Sequence, residues 1–263
     1  MNNDYRCLQL ERREHCALLW LNRPERHNAL DGELTAELHH ALDALSQEET
    51  VRAIVIGGRG ASFCAGGDLQ WMRRQAAGRF EDNLEDARQL AFTLRTLANC
   101  PKPTIARVHG AALGGGVGLV AACDLALASS DAVFGLTETR LGLTPSTIAP
   151  YIVAAIGDRA ARRCLLTGER FDAEEAQRLD LVQQVVVPER LDERLQAMLA
   201  AIALGGPQAQ EHCKWLLGEL RGPGTTLEQI EETARSLASI RAGEEAREGM
   251  EAFFARRKPS WAP

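Results

Sequence analysis

Leu113-Gly114-Gly115-Gly116-Val117-Gly118-Leu119-Val120-Ala121-Ala122-Cys123-Asp124 is the stretch whose reading decides the fold. Three consecutive glycines sit after an apolar segment and before another apolar run. Glycine has no Cβ, so such a turn lets backbone N–H groups approach a ligand without side-chain obstruction. Upstream, Ser62-Phe63-Cys64-Ala65-Gly66-Gly67-Asp68-Leu69 repeats the small-residue design after a strand-like run. Downstream, Phe134-Gly135-Leu136-Thr137-Glu138 supplies a carboxylate. Two glycine turns and one carboxylate suggest an oxyanion hole served by a single acid/base group.

Outward from that centre, strands and helices alternate. Cys7–Leu10 and Ala17–Asn22 read as paired short strands. Leu34–Leu45 carries apolar residues at helical spacing and follows Asp31, a capping residue. Arg52–Ile56 reads as a buried strand ended by Gly57, Gly58 and Gly60, and Leu84–Leu97 as an amphipathic helix. Thr104–His109 is strand-like, the Gly114–Gly116 turn opens a helix through Ala122, and Leu125–Ala128 is the next strand. This order predicts an α/β fold with parallel strands and crossover helices. Met72–Asp82 reads as a loop-like insertion. After Pro188 the strand signal ends, and Leu191–Leu204, Gln208–Leu220, Leu227–Ala242 and Glu244–Ala255 read as helices. The expected division is a core over 1–190 and a helical region over 191–263.

Composition excludes several classes. The chain has 263 residues and a formal net charge of −6, with dispersed basic residues. A nucleic-acid protein should show a dominant basic face. No apolar run approaches the roughly 18–20 residues that span a bilayer. Met1-Asn2-Asn3-Asp4 is polar and lacks a signal-peptide core, so a cytoplasmic protein is expected. Seven cysteines, Cys7, Cys16, Cys64, Cys100, Cys123, Cys164 and Cys213, show no metal-like spacing and predict reduced, mostly buried thiols. No metal is expected.

Taken in order, the motifs resemble the crotonase, or enoyl-CoA hydratase/isomerase, superfamily. The resemblance runs through Leu21-Asn22-Arg23-Pro24, Asn28-Ala29-Leu30, Phe63–Asp68, Lys102–Ala106, Gly110–Gly116, Cys123-Asp124, Phe134-Gly135 and Leu166–Phe171, and covers nearly the whole chain. It implies a crotonase-like spiral of ββα turns followed by helices used in trimer assembly, as a homotrimer or dimer of trimers. It implies an acyl-CoA thioester substrate and no separate cofactor, since coenzyme A is part of the substrate. Carried over by motif, the two amides that polarise the thioester carbonyl are those of Ala65 and Gly115, and Glu138 matches one of two family glutamates. The largely apolar stretch around Glu138 should raise its pKa toward a useful range. Gly118 stands where a two-glutamate hydratase carries its other carboxylate.

Two activities remain open on that basis. A double-bond isomerase of this superfamily works with the single Glu138-type residue. A hydratase would use Glu138 as both base and acid. Arg140–Tyr151 and the Gly-Val-Gly-Leu at 116–119 resemble bacterial hydratases of 3-methylglutaconyl-CoA and isohexenylglutaconyl-CoA, which serve leucine and acyclic terpene breakdown. Such substrates carry a second carboxylate, for which Arg140 is the candidate partner, and Gly118 would make room for a branched acyl group. Cys64, Gly66 and Gly114 belong to the substrate-binding turns. Arg26 is a candidate CoA-phosphate partner, and Arg256-Arg257-Lys258 is a more distant one. Asp68 is a candidate site residue or the cap of the next helix. Trp71 and Met72 are expected as acyl-pocket wall or packing, His109 as a hydrogen-bonded histidine, and Asp124 as a brace of the core. A non-catalytic acyl-CoA-binding protein that has lost its carboxylate at 118 is the rival from another class.

Overall fold

The computed structural model describes residues 5–220 and 226–263. Leu8–Arg13 (β1) and Cys16–Leu21 (β2) form the expected antiparallel hairpin. Gly32–Gln47 (α1) follows, with the Asp31 carboxylate accepting the Leu34 amide at 3.0 Å as its N-cap. Leu34, Leu38, Leu42 and Leu45 make one buried stripe along it. Burying each of these leucines contributes about 1.5–3 kcal/mol.

The chain then winds through one pattern repeatedly. Ala53–Gly58 (β3) and Ser62–Cys64 (β4) are followed by Leu69–Ala76 (α2) and Phe80–Ala98 (α3). Thr104–Val108 (β5) and Ala111–Leu113 (β6) lead into Gly115–Ala122 (α4). Leu125–Ser129 (β7) and Val133–Gly135 (β8) lead to Ala149–Thr167 (α5). Arg170–Asp172 (β9), Ala173–Arg178 (α6) and Gln184–Val186 (β10) close the winding. Through β3/β4, β5/β6 and β7/β8 each winding lays its first strand beside the previous first strand and its second beside the previous second, and the last winding reverses this, with β9 beside β8 and β10 beside β7. One sheet therefore has the order β1-β2-β3-β5-β7-β10 and the other β4-β6-β8-β9, parallel except at β1–β2 and β8–β9. The spiral of ββα turns is thus present as geometry, although no repeat is visible in the residues.

Phe63 of β4 and Phe134 of β8 are fully buried in the main core, with Leu94 and Leu97 of α3 and Leu119 of α4. A second apolar cluster lies around Leu18, Trp20, Val55, Ile105 and Leu127, covered by Leu191, Leu195 and Leu199 of Leu191–Ala203 (α7). Pro207–Glu219 (α8), Leu227–Ala242 (α9) and Glu244–Phe254 (α10) complete the helical region. Lys214 of α8 is tied to the core: its Nζ donates to the Asp124 carboxylate at 2.6 Å and to Lys102 O at 2.9 Å. Asp124 also accepts the Thr104 amide and hydroxyl, the bracing expected of it.

Two element boundaries differ from expectation. Gly57 and Gly58 continue β3 instead of ending it. A Cβ at Gly57 would lie 2.6 Å from the Trp20 ring, and one at Gly58 would lie 2.4 Å from Ser62 O. Glycine is there for close packing within a strand, so it does not punctuate. Met72–Asp82 is mostly helical, since α2 runs to Ala76 and α3 begins at Phe80. The first turn of α3 faces solvent, and α2 has no fully buried residue, so neither gives an apolar period to read. All seven cysteines are free. Among the described residues no helix is long and apolar enough to cross a membrane. The Met1–Asp4 stretch lies outside the described residues.

Candidate active site

Both glycine turns border one cavity of about 480 Å³. Its first wall begins at His27 and Asn28, two consecutive left-handed residues (φ 50° and 56°). Asparagine tolerates that backbone better than most residues. The buried Asn28 side chain accepts the Arg23 amide at 2.8 Å and donates to Arg59 O at 2.9 Å and Ser62 O at 2.8 Å. The bend brings the following segment alongside the first glycine turn. There Leu30 N donates to Gly66 O at 2.7 Å, and Asp68 N donates to Leu30 O at 2.8 Å.

That ladder decides which amide is available. Ala65 N, the expected oxyanion donor, donates instead to His27 O at 2.9 Å. Its hydrogen bond is already used inside the scaffold. Gly67 is the bridge partner of Leu30, but the bridge is made by the amide and carbonyl of its neighbours, so its own N–H points away from Leu30. Gly67 lines the cavity, and its N–H has no protein partner among the described residues. Gly67 is therefore an unengaged amide of this turn at the cavity, two residues beyond Ala65.

The second turn repeats the pattern. Gly114, at φ 49°, donates its N–H to Gly135 O at 2.8 Å. Gly115 is the first residue of α4, where helix amides have no partner within the helix. Both residues line the cavity. The two turns touch: a Cβ at Gly116 would lie 2.3 Å from Cys64 O, and one at Gly66 would lie 3.0 Å from Leu113 O.

Glu138 stands on a short 3-10 turn, Thr137–Leu141, directly after β8. A Cβ at Gly114 would lie 2.6 Å from its Oε1, so only glycine lets the carboxylate approach the second turn. Glu138 Oε2 is buried and has no hydrogen-bond partner among the described residues. Burial pushes its carboxyl above the ordinary range. A buried, unpartnered carboxylate oxygen at a cavity is chemically able to bond a ligand or water and to exchange a proton with it.

Gly118 does not line the cavity. A Cβ there would lie 2.3 Å from Ile148 Cγ2. The volume left by the missing side chain is filled by Ile148, so it is not held open for a branched acyl group. Arg140 does line the cavity and has no ion pair or hydrogen bond among the described residues. Arg170, set opposite Gly135 by the β8–β9 register, is a second cavity arginine without an acidic partner among the described residues. The two acids on the wall are engaged: Asp31 caps α1 and pairs with Arg23 at 2.9 Å, and Asp86 accepts Trp71 Nε1 at 2.9 Å.

Several other expected residues are engaged away from the cavity. Cys64 is buried, and burial pushes its thiol up to about 12, which leaves no thiolate at neutral pH. Asp68 caps α2 by accepting the Gln70 and Trp71 amides at 2.9 and 3.0 Å. Burial pushes the Asp68 carboxyl upward, but the Trp71 and Gln70 amides with Arg26 and Arg23 hold it below the ordinary value. Arg26 is committed to Asp68 and Gln70, each at 3.2 Å. His109 Nε2 is bonded to Gly60 O at 2.8 Å, and Arg257 to Glu248 at 2.6 Å. Trp71 and Met72 line the cavity.

The sequence reading missed Gly67, Arg170 and Ile148. Gly67 and Arg170 lie within motifs already noted, but only hydrogen bonding and strand register reveal their direction. Ile148 lies in the Arg140–Tyr151 stretch, but nothing in the residues shows that it packs on Gly118.

The enoyl-CoA hydratase/isomerase family model matches residues 11–263. An enoyl-CoA hydratase from Shewanella pealeana superposes with a TM-score of 0.95 at 38% identity, covering 99% of this chain and 97% of that one. The crotonyl-CoA hydratase of Syntrophomonas wolfei is 33% identical, covering 98% of each chain. The mevalonyl-coenzyme A hydratase sidH of Aspergillus fumigatus is also 33% identical, covering 95% of this chain and 92% of the relative. Relatives named for different acyl groups thus stand at equal identity, so identity does not select the acyl group.

Proposed function

This chain belongs to the enoyl-CoA hydratase/isomerase family, and on that premise we propose that it is a hydratase of a branched, glutaconyl-type enoyl-CoA. The substrate would be of the 3-methylglutaconyl or isohexenylglutaconyl kind met in leucine or acyclic terpene breakdown. The observation that carries the activity is the unpartnered Glu138 carboxylate beside two unengaged amides, Gly67 and Gly115. The thioester oxygen sits between those N–H groups. They strengthen as negative charge develops on it, and losing one costs about 3–4 kcal/mol of transition-state stabilisation.

Glu138, ionised, takes a proton from water as the water oxygen bonds to Cβ of the enoyl group. The π electrons move toward the thioester oxygen. The proton on Glu138 is then delivered to Cα as the enolate collapses. One water is added and the carboxylate is regenerated. A raised pKa suits a group that must be base and acid in one turnover. Coenzyme A is part of the substrate, and no separate cofactor takes part.

Arg140 and Arg170 support the carboxylated substrate class. Two guanidiniums without acidic partners at one cavity are suited to receive a carboxylate through charge-assisted hydrogen bonds. A panel of enoyl-CoA thioesters with and without a distal carboxylate, assayed separately for hydration and isomerisation, tests both levels. Dicarboxylic, 3-branched substrates should be preferred, and faster hydration of crotonyl-CoA would overturn the substrate class.

Isomerisation is the second reading, favoured by Gly118 and its Ile148 cover. Glu138 alone can carry a proton between Cγ and Cα. Conversion of 3-enoyl to 2-enoyl thioesters without hydration would establish it, and turnover of either kind excludes a purely binding role. The region 191–263 is proposed to assemble the protein as a homotrimer or dimer of trimers. It leaves Leu227, Phe253 and Phe254 at least 78% exposed. Light scattering that reports a stable monomer at micromolar concentration would count against this.

A further inference from the structure

With no side chain at position 118, one carboxylate must activate the attacking water, and a second contact is needed to aim it. We infer that Thr147, with Thr144 beside it, is that contact. The inference rests on the hydratase reading above.

Gly114 is the N-cap of α4, and Gly118 sits one turn on, its N–H donating to Gly114 O at 3.1 Å. Glu138 lies over the first and Ile148 over the second. One helical turn, about 5.4 Å, separates those two points along the axis. A side chain at 118 would have met Ile148, one turn along from the point that Glu138 covers. Ile148 takes that volume, and it and the residue before it both line the cavity. Residues 145–149 form a closed turn, with Ile148 N and Ala149 N both donating to Pro145 O, at 3.2 and 2.9 Å. Thr144 and Thr147 flank Pro145 and line the cavity with it. The Thr147 hydroxyl has no hydrogen-bond partner among the described residues, while Thr144 Oγ1 shares a bond with Ser146 Oγ at 2.6 Å.

Other polar groups of the cavity are less suited. Asp31 and Asp86 are engaged as described, and Arg140 and Arg170 are donors only. Thr137 is on Glu138's own turn, on the carboxylate side. Thr35 belongs to α1, with the first wall. A threonine hydroxyl can donate and accept at once, so it can fix a water without taking its proton. All proton transfer then stays with Glu138.

The test uses the full-length protein and its Thr147→Val, Thr147→Ser and Thr144→Val variants. Hydration of enoyl-CoA is measured beside exchange of the Cα proton of a saturated acyl-CoA in D₂O. The exchange needs Glu138 and the two amides but no attacking water. Thr147→Val should lower kcat for hydration about 10–100-fold, as misplaced reactants do. Exchange should stay within about twofold, which also shows an intact fold. Thr147→Ser should recover most of the hydration, and Thr144→Val should have a smaller effect. Unchanged hydration in Thr147→Val, or equal losses of hydration and exchange, would overturn the assignment alone. A wild-type protein that exchanges the Cα proton but hydrates no enoyl-CoA would overturn the hydratase reading, and the assignment with it.

Discussion

The two glycine turns solve the same problem by different means. In Ala65–Gly67 the backbone is held by a ladder to a neighbouring segment, and the left-handed pair His27-Asn28 sets that ladder. In Gly114–Gly115 it is held by one bond to Gly135 O and by the start of α4. Each turn spends one amide on the scaffold, Ala65 or Gly114, and leaves another free, Gly67 or Gly115. A small-residue turn therefore announces an anion site but does not announce its donor. The second turn differs in one further respect: it has the acid. The missing Cβ of Gly114 is what admits Glu138.

If the acid belongs to the second turn, its removal should have the largest effect. Glu138→Gln should lower kcat by about 10²–10⁴-fold for hydration and for Cα exchange alike. Near-full turnover would place the chemistry elsewhere. The same variant should change stability in a predictable direction. Glu138 is raised in the folded state, so its contribution is fully present below the unfolded carboxylate pKa. That contribution is lost as pH rises through the folded value. Tm of Glu138→Gln relative to wild type should therefore increase from acid to neutral pH, and a flat difference would contradict the burial argument.

The equivalence of the two free amides is the next point to break. Gly115 is the first residue of α4, so Gly115→Pro removes the N–H, and because a Cβ there would lie 2.8 Å from Leu30 Cδ1 its fold is checked by circular dichroism alongside kcat. The variant should cost about 10²–10³-fold in kcat, and Gly67→Pro should cost a similar factor. A ligand-bound structure with the thioester oxygen away from both amides would refute the shared role. Ala65→Gly should leave kcat nearly unchanged and cost less than about 1 kcal/mol of stability. A ligand-bound structure with the thioester oxygen on Ala65 N in place of Gly67 N would restore Ala65 as the donor.

A smaller effect tests the packing behind the second turn. Gly118→Ala should destabilise the protein by about 1–3 kcal/mol through overpacking against Ile148. Part of that loss should disappear in a Gly118→Ala/Ile148→Ala cycle read by chemical denaturation. Additive losses would mean that Ile148 does not fill the space above Gly118.

Elements with one strong local signal were legible in the residues. The Asp31 cap and the leucine stripe of α1 fixed that helix, and the apolar run after Gly116 fixed α4. The helical region after Pro188 was legible for the same reason. The helices hidden in 72–82 were not, because solvent-facing turns leave no apolar period. Glu138 was legible as a carboxylate in a largely apolar stretch, and it is buried with one oxygen unpartnered among the described residues. Asp68 and Arg26 were legible as charges near a motif, but a charge carries no label for its partner, and here the two partner each other.

By itself the sequence determined the α/β class, the two glycine turns, the carboxylate downstream of them and the family to which those motifs belong. These depend on residue type and order along the chain, where the absence of a Cβ or the presence of a carboxylate is written directly. Tertiary structure alone decided that Gly67 is free while Ala65 is used, that Ile148 occupies the space above Gly118, and that Arg140 and Arg170 meet at one cavity. Each of these depends on which atoms of distant segments compete for the same hydrogen bond or the same volume. That competition is settled by the fold as a whole.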